Sequence, residues 1–88
     1  MNAKLLKEQA DILRRKKVML GYHAAIRMMY RLNFKKIEDV IQNGEIWREG
    51  KNKFRAILPL KGQKIAYVIF VDYDDYIFVK TVGMTRRN

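Results

Sequence analysis

The chain has 88 residues, which is enough for one domain with a small hydrophobic core. It contains no cysteine and a single histidine, so it has no disulfide framework and no thiolate nucleophile, and we expect no structural zinc site. No apolar run is long enough to span a bilayer, and the charged N-terminus lacks the apolar segment of a signal peptide. We therefore expect a cytoplasmic protein.

The charge balance points to the kind of partner. Nineteen Lys and Arg residues against nine Asp and Glu residues give a formal net charge of +10. Such an excess favours a polyanionic partner, which is nucleic acid, an acidic protein or an anionic membrane surface.

Residues 3–17 are predicted to form a first helix, because apolar side chains recur there at helical spacing. Its end carries four consecutive cations, Arg14, Arg15, Lys16 and Lys17. These cations either satisfy the negative end of the helix dipole or contact phosphate groups. We expect residues 1–17 to be a basic appendage to a core domain of residues 18–88, docking on that core or on a partner.

The second predicted helix, from Tyr22 to about Leu32, contains the only histidine and follows a helix-breaking glycine. At 100° per residue, His23, Arg27 and Arg31 fall on one stripe opposite a broad apolar arc. Guanidinium groups can bind phosphate oxygens in bidentate fashion, and an imidazole can move a proton near neutral pH. The stripe therefore suggests phosphodiester binding or cleavage. The alternative is that it is only the solvated face of an amphipathic helix.

The rest of the chain predicts one further helix and then a sheet. Residues 35–43 form the short helix, with Asn43-Gly44 as its stop signal. The apolar period then changes from helical to twofold and predicts strands at 45–49, 53–60, 64–73 and 76 to about 84. Short turns join successive strands, and one of them is the hairpin at Asp74-Asp75. We expect an α+β domain with two to three N-terminal helices packed on a four-stranded antiparallel β-meander.

A family resemblance follows from these motifs. His-Ala-x-x-Arg-Met-x-x-Arg occupies residues 23–31, and a short helix ending in Asn43-Gly44-Glu45-Ile46 precedes the meander. This arrangement resembles the small bacterial family catalogued as domain of unknown function forty-two fifty-eight, which is grouped by fold with RelE-like and BrnT-like toxins of toxin–antitoxin modules. The resemblance covers residues 18–84 and implies a RelE/BrnT-toxin-like fold. The chain departs from the family at Lys35, where a Ser or Thr usually caps the helix, and in its extra N-terminal helix.

The resemblance and the stripe together suggest a toxin-type, metal-independent endoribonuclease. RNA carries its own nucleophile, the 2′-hydroxyl, so the protein must only orient the phosphate, move protons and stabilise charge. His23 would be the general base or acid, and Arg27 and Arg31 would bind the scissile phosphate. This reaction requires no cofactor and no metal. The expected partners are RNA and an acidic antitoxin-like protein, and no membrane is expected.

Further residues are candidates for RNA contacts. Besides the N-terminal cations, they are Tyr30, Arg55, Lys80, Arg86 and Arg87. Tyr30 or Tyr67 can stack on a base, although Tyr67 fits a covered strand better.

Two alternatives remain open. The same basic face can belong to a non-catalytic nucleic-acid-binding or protein-interaction module, in which His23 would be a hydrogen-bonding residue that ties helix to sheet. The carboxylates of Asp72, Asp74 and Asp75 could suggest a cation site, but their spacing fits a hairpin turn better.

Overall fold

The computed structural model describes residues 3–28 and 33–86. In these residues the helices are α1 (Lys7–Arg14), α2 (Tyr22–Met28) and α3 (Phe34–Asn43). The strands are β1 (Ala3–Lys4), β2 (Lys17–Leu20), β3 (Glu45–Arg48), β4 (Lys53–Pro59), β5 (Lys64–Asp72) and β6 (Tyr76–Arg86).

The strands form one mixed sheet in the order β1-β3-β4-β5-β6-β2. Strands β3 to β6 are the antiparallel meander expected from the twofold period, so the α+β class is confirmed. The expected count of four strands is wrong, because the first 20 residues add a strand to each edge of the meander. At one edge β1 pairs antiparallel with β3, and at the other edge β2 pairs parallel with β6.

The expectation of one helix over residues 3–17 is also wrong. Only Lys7–Arg14 is helical, and the backbone N–H of Leu6 at its start donates to Gln9 Oε1 at 3.0 Å. After the helix, Val18 and Leu20 pack against the core while Met19 between them is exposed. That alternation is the side-chain pattern of a strand, since successive side chains point to opposite faces.

All three helices lie on one face of the sheet. Their buried side chains share a single core cluster with alternate residues of strands β3 to β6. From the helices the cluster takes Ala10, Leu13, Ala24, Ile37, Val40 and Ile41, and from the sheet it takes Ile46, Phe54, Ala56, Ala66, Val68, Phe70, Ile77, Val79 and Val82. Two of these residues belong to α1, so residues 3–17 pack as part of the core and not as an appendage to it.

Helix α3 is defined at both ends by specific contacts. Its first turn is capped by Asn33, whose Oδ1 accepts the backbone N–H of Lys36 at 2.8 Å. At its other end Gly44 lies where α3 becomes β3, and its N–H donates to the carbonyl of Val40 at 2.8 Å. A Cβ atom at position 44 would lie 2.5 Å from the backbone oxygens of both Val40 and Ile57. The junction therefore has no space for a side chain.

We predict that Gly44→Ala destabilises the protein by about 1–3 kcal/mol, the range for forcing extra atoms into a packed site. The colliding atoms are backbone atoms, so no side chain can rotate away. Gly50→Ala is the matched control, because its Cβ would have nothing nearer than Lys53 Cβ at 3.5 Å. Urea unfolding midpoints should separate the two variants, and equal midpoints would contradict the close packing at Gly44.

Candidate nucleic-acid interface

His23 lies on the solvent side of α2. The helix is held to the sheet by Ala24, which is fully buried, whereas His23 and Tyr22 are exposed. The imidazole of His23 makes no hydrogen bond to the groups that the structure describes, and its ring contacts the ring of Tyr22 edge-on with centroids 5.7 Å apart. The structure therefore does not support the role of a hydrogen-bonding residue that ties helix to sheet.

Part of the expected stripe lies outside the described residues. Arg27 is four residues beyond His23 within α2, but its side chain is not described. Tyr30, Arg31 and Arg87 also lie outside the described residues. The convergence of His23, Arg27 and Arg31 on one phosphate therefore stays a prediction.

The four N-terminal cations differ in their surroundings. The guanidinium of Arg14 is largely buried, with Nε donating to the carbonyl of Ile41 at 2.9 Å and Nη2 to that of Gly44 at 2.8 Å. Its Nη1 donates to Asp11 Oδ1 at 2.9 Å, and this hydrogen bond lowers the pKa of the Asp11 carboxyl. Arg14 thus ties α1 to the end of α3, which corrects the expectation that it contacts phosphate.

Lys16 is also engaged inside the molecule. Its Nζ lies 2.6 Å from Asp72 Oδ1, and both side chains are largely shielded from solvent. Asp72 Oδ1 also accepts the backbone N–H of Asp74 at 3.0 Å, and Asp74 has a positive φ of 70°. These carboxylates therefore belong to the β5–β6 hairpin turn. No cluster of metal-ligating side chains occurs in the part of the chain that the structure describes. Arg15 and Lys17 remain exposed.

The face of the sheet opposite the helices is named here the open face. It carries the strand residues that alternate with the core residues, and none of them belongs to the core cluster. Across the strands its residues include Trp47, Arg55, Ile57, Tyr67, Ile69, Val71, Phe78 and Met19. Most of these side chains are only partly exposed. In the described residues no helix contributes a buried side chain to this face.

Tyr67 lies on the open face, so the expectation that it is a core residue is wrong. It pairs with Gly83 on β6, and a Cβ at Gly83 would lie 2.5 Å from Tyr67 Oη. The tyrosine ring thus lies across the glycine backbone. Arg55 sits beside it, with its guanidinium carbon 5.7 Å from the ring centroid.

The guanidinium of Arg55 is only partly engaged. Its Nε lies 2.6 Å from Glu49 Oε2, but the contact lacks hydrogen-bond geometry. Its two terminal nitrogens donate no hydrogen bond to the described part of the protein. The expected RNA contact of Arg55 therefore stays a prediction.

Sequence reasoning named Arg86 but missed two lysines beside it, Lys61 and Lys64, at the turn between β4 and β5. Lys64 and Arg86 are directly opposed in the β5–β6 pairing, and the exposed Lys61 lies in the turn just before β5. The only available signal was strand register, which determines which residues face each other. Lys80 is exposed, and the register shift at Ile69/Phe70 leaves it without a partner residue on β5.

Comparison with protein-family models, curated proteins and solved structures gave no match to this chain. The toxin-like fold and activity expected from the sequence therefore remain proposals. None of the helices in the described residues is long and apolar enough to cross a membrane.

We predict that Arg14→Ala destabilises the protein by about 1–3 kcal/mol, because two carbonyl groups are left without their charged donor. Arg15→Ala, a change of the same type at an exposed neighbour, should alter stability little. Denaturant midpoints measure both effects. If Arg14→Ala were as stable as the parent and instead weakened RNA binding, the phosphate-contact role would be restored.

Proposed function

We propose that the protein binds RNA through the cations that its own carboxylates leave unpaired. Support comes from the net charge and from where that charge lies. An acidic antitoxin-like protein would use the same cations, and competition with RNA would reveal it.

Ion pairs use only some of the cations. In the described residues, five of the nine carboxylates pair with Lys4, Lys7, Arg14, Lys16, Lys36 and Arg55. The described cations outside these pairs are Arg15, Lys17, Lys35, Arg48, Lys51, Lys53, Lys61, Lys64, Lys80 and Arg86. These residues hold the positive charge that a polyanion would neutralise.

The observation that best supports the proposal is the opposition of Lys64 and Arg86. Like charges directly opposite each other on neighbouring strands destabilise a sheet. Lys61 in the adjoining turn adds a third cation, and the hydrogen bonds and ion pairs of the described residues place no carboxylate on any of the three. A phosphate group bound there would relieve the repulsion.

Cleavage of the bound RNA is the second candidate function, and the placement of His23 favours it. The imidazole is exposed, and it makes no hydrogen bond within the described residues that would fix it in a structural role. The helix below it is anchored independently by Ala24. A free imidazole on a supported helix can transfer a proton to or from a substrate, with Arg27 and Arg31 proposed to hold the phosphate.

We predict that RNA affinity falls steeply with salt, because binding releases the counterions of the phosphates. Replacing both Lys64 and Arg86 by Ala should reduce the slope of log affinity against log salt by roughly 1.4, about 0.7 for each phosphate that is no longer neutralised. Fluorescence anisotropy of labelled single-stranded RNA, recorded across a salt series, measures the slope.

The control removes the same number of charges elsewhere. Lys7 and Lys36 are already paired with Asp11 and Asp39, so Lys7→Ala with Lys36→Ala should change the slope much less. Equal changes in both double variants would show that binding follows net charge alone. Absence of binding at low salt would reject RNA as a partner.

For cleavage, we predict that His23→Ala lowers the rate by roughly a hundredfold or more in a buffer with chelator and leaves RNA affinity nearly unchanged. Arg27→Ala and Arg31→Ala should weaken affinity as well as turnover, because each removes a phosphate ligand. Arg→Lys should not rescue fully, since lysine lacks the planar fork.

His23→Ala, purified in the same way as the parent, also controls for contaminating nuclease. If the parent cleaves no RNA in any buffer, or if His23→Ala cleaves at the parental rate, the enzymatic proposal is rejected. Neither result affects the proposal of RNA binding, which the salt series tests separately.

A further inference from the structure

We infer that the open face is a stacking platform for the bases of single-stranded RNA, so the ligand is a single strand and not a duplex. The inference rests on the RNA binding proposed above and assigns to it a substrate class. It places the bases of the bound strand on the open face, whereas Lys64 and Arg86 lie at the end of the sheet on the side of Ala66 and Met84, where they would contact its phosphates.

Two aromatic rings and one guanidinium form the centre of the platform. Trp47 on β3 is paired with Arg55 on β4, and Arg55 lies over the ring of Tyr67 on β5. Trp47 and Tyr67 are two strands apart, which is roughly 10 Å across the sheet. Aromatic rings and guanidinium planes are the groups on which unstacked bases stack in proteins that bind single strands.

These side chains are held in place by their neighbours. The indole N–H of Trp47 donates to Glu45 Oε1 at 3.4 Å, and the other oxygen of Glu45 pairs with Lys4 at 3.2 Å. Tyr67 rests on the backbone of Gly83. Because the rings are already ordered, a bound base would cost little side-chain entropy.

A second aromatic cluster extends the platform towards the β5–β6 hairpin. The ring centroid of Tyr73 lies 5.5 Å from that of Tyr76 and 6.2 Å from that of Phe78. Tyr73 is half exposed, so one of these rings is available to a ligand. Two exposed cations, Lys17 opposite Tyr76 and Lys53 opposite Val71, border the platform where phosphates would run.

The charge of the chain argues against a second copy as the occupant. A face-to-face dimer would bring two chains of charge +10 together, with the exposed Lys17 and Lys53 at the border of each face. Like-charge juxtaposition across an interface is costly, whereas phosphates complement these cations. A duplex is also a poor occupant, because its bases are already stacked on one another and present no free face.

Trp47 is the only tryptophan of the chain, so tryptophan fluorescence reports directly on this position. We would titrate the full chain with a short oligouridylate, with the same strand annealed to oligoadenylate, and with inorganic polyphosphate. Stacking on the indole should quench its emission with the single strand. Polyphosphate should bind with salt-sensitive affinity and leave the emission unchanged, since it has no bases. The platform would be overturned if all three ligands changed the emission equally, or if the single strand bound without changing the emission.

Substitutions test the same inference by affinity, with labelled RNA as the probe. Trp47→Ala should weaken single-strand binding about fivefold or more and leave polyphosphate binding unchanged. Trp47→Phe should retain most of the affinity, because a ring remains, and this variant keeps the test valid if the alanine variant is unfolded. Phe34→Ala is the matched control, since Phe34 is a partly exposed aromatic residue of α3 on the helical side. Equal losses in Trp47→Ala and Phe34→Ala would overturn the inference.

The two proposals fail in different ways. If neither the single strand nor polyphosphate binds at low salt, RNA binding itself is rejected. If both bind equally and Trp47 emission is constant, RNA binding stands and the stacking platform is rejected. A blue shift of Trp47 emission with rising protein concentration, together with a dimer in sedimentation, would instead make the open face an interface between copies and overturn the inference.

Discussion

One guanidinium joins the two parts of the chain that build this domain. Arg14 at the end of α1 donates to the carbonyls of Ile41 and Gly44, at the C-terminal end of α3, where helical carbonyl groups lack partners within the helix. A reverse contact, from Gln42 Nε2 to the carbonyl of Arg14 at 2.8 Å, closes the arrangement. Since α1 lies between β1 and β2 in the chain, fixing α1 on α3 also positions the two strands that complete the sheet.

The two faces of the sheet differ in side-chain chemistry, and the described helices pack on only one of them. The covered face is mostly aliphatic, and small residues such as Ala56 and Ala66 allow the helices to approach closely. The other face combines aromatic rings with a central arginine. The three described helices all lie on one side, so no helix of the described residues covers the other face of the sheet. We therefore interpret the aromatic composition of that face as chemistry for a ligand and not as part of the core.

The meander was predictable because it repeats a twofold pattern over four strands, and its boundaries were found within one or two residues. Strands β1 and β2 were missed because two and four residues are too few to show a period, and because their partners are distant in sequence. Arg14 was misassigned because a run of four cations suggests a single surface. In the structure the run ends a helix and enters a strand, so the directions of its side chains diverge. Tyr67 was misassigned because β5 is apolar on both faces, a pattern typical of a strand covered on both sides.

The parallel pairing of β2 with β6 has a consequence for how the chain folds. Lys17–Leu20 is synthesised before its partner residues Tyr76–Val79, and strands β3 to β5 lie between them in the chain. Until those partner residues leave the ribosome, this short apolar strand has no edge to join, and it is open to wrong association. Native pairing between such distant segments slows folding, because the entropy of closing the intervening chain opposes the pairing before any stabilising interaction forms. Strand β2 can therefore join the sheet only after the residues of β6 have been synthesised.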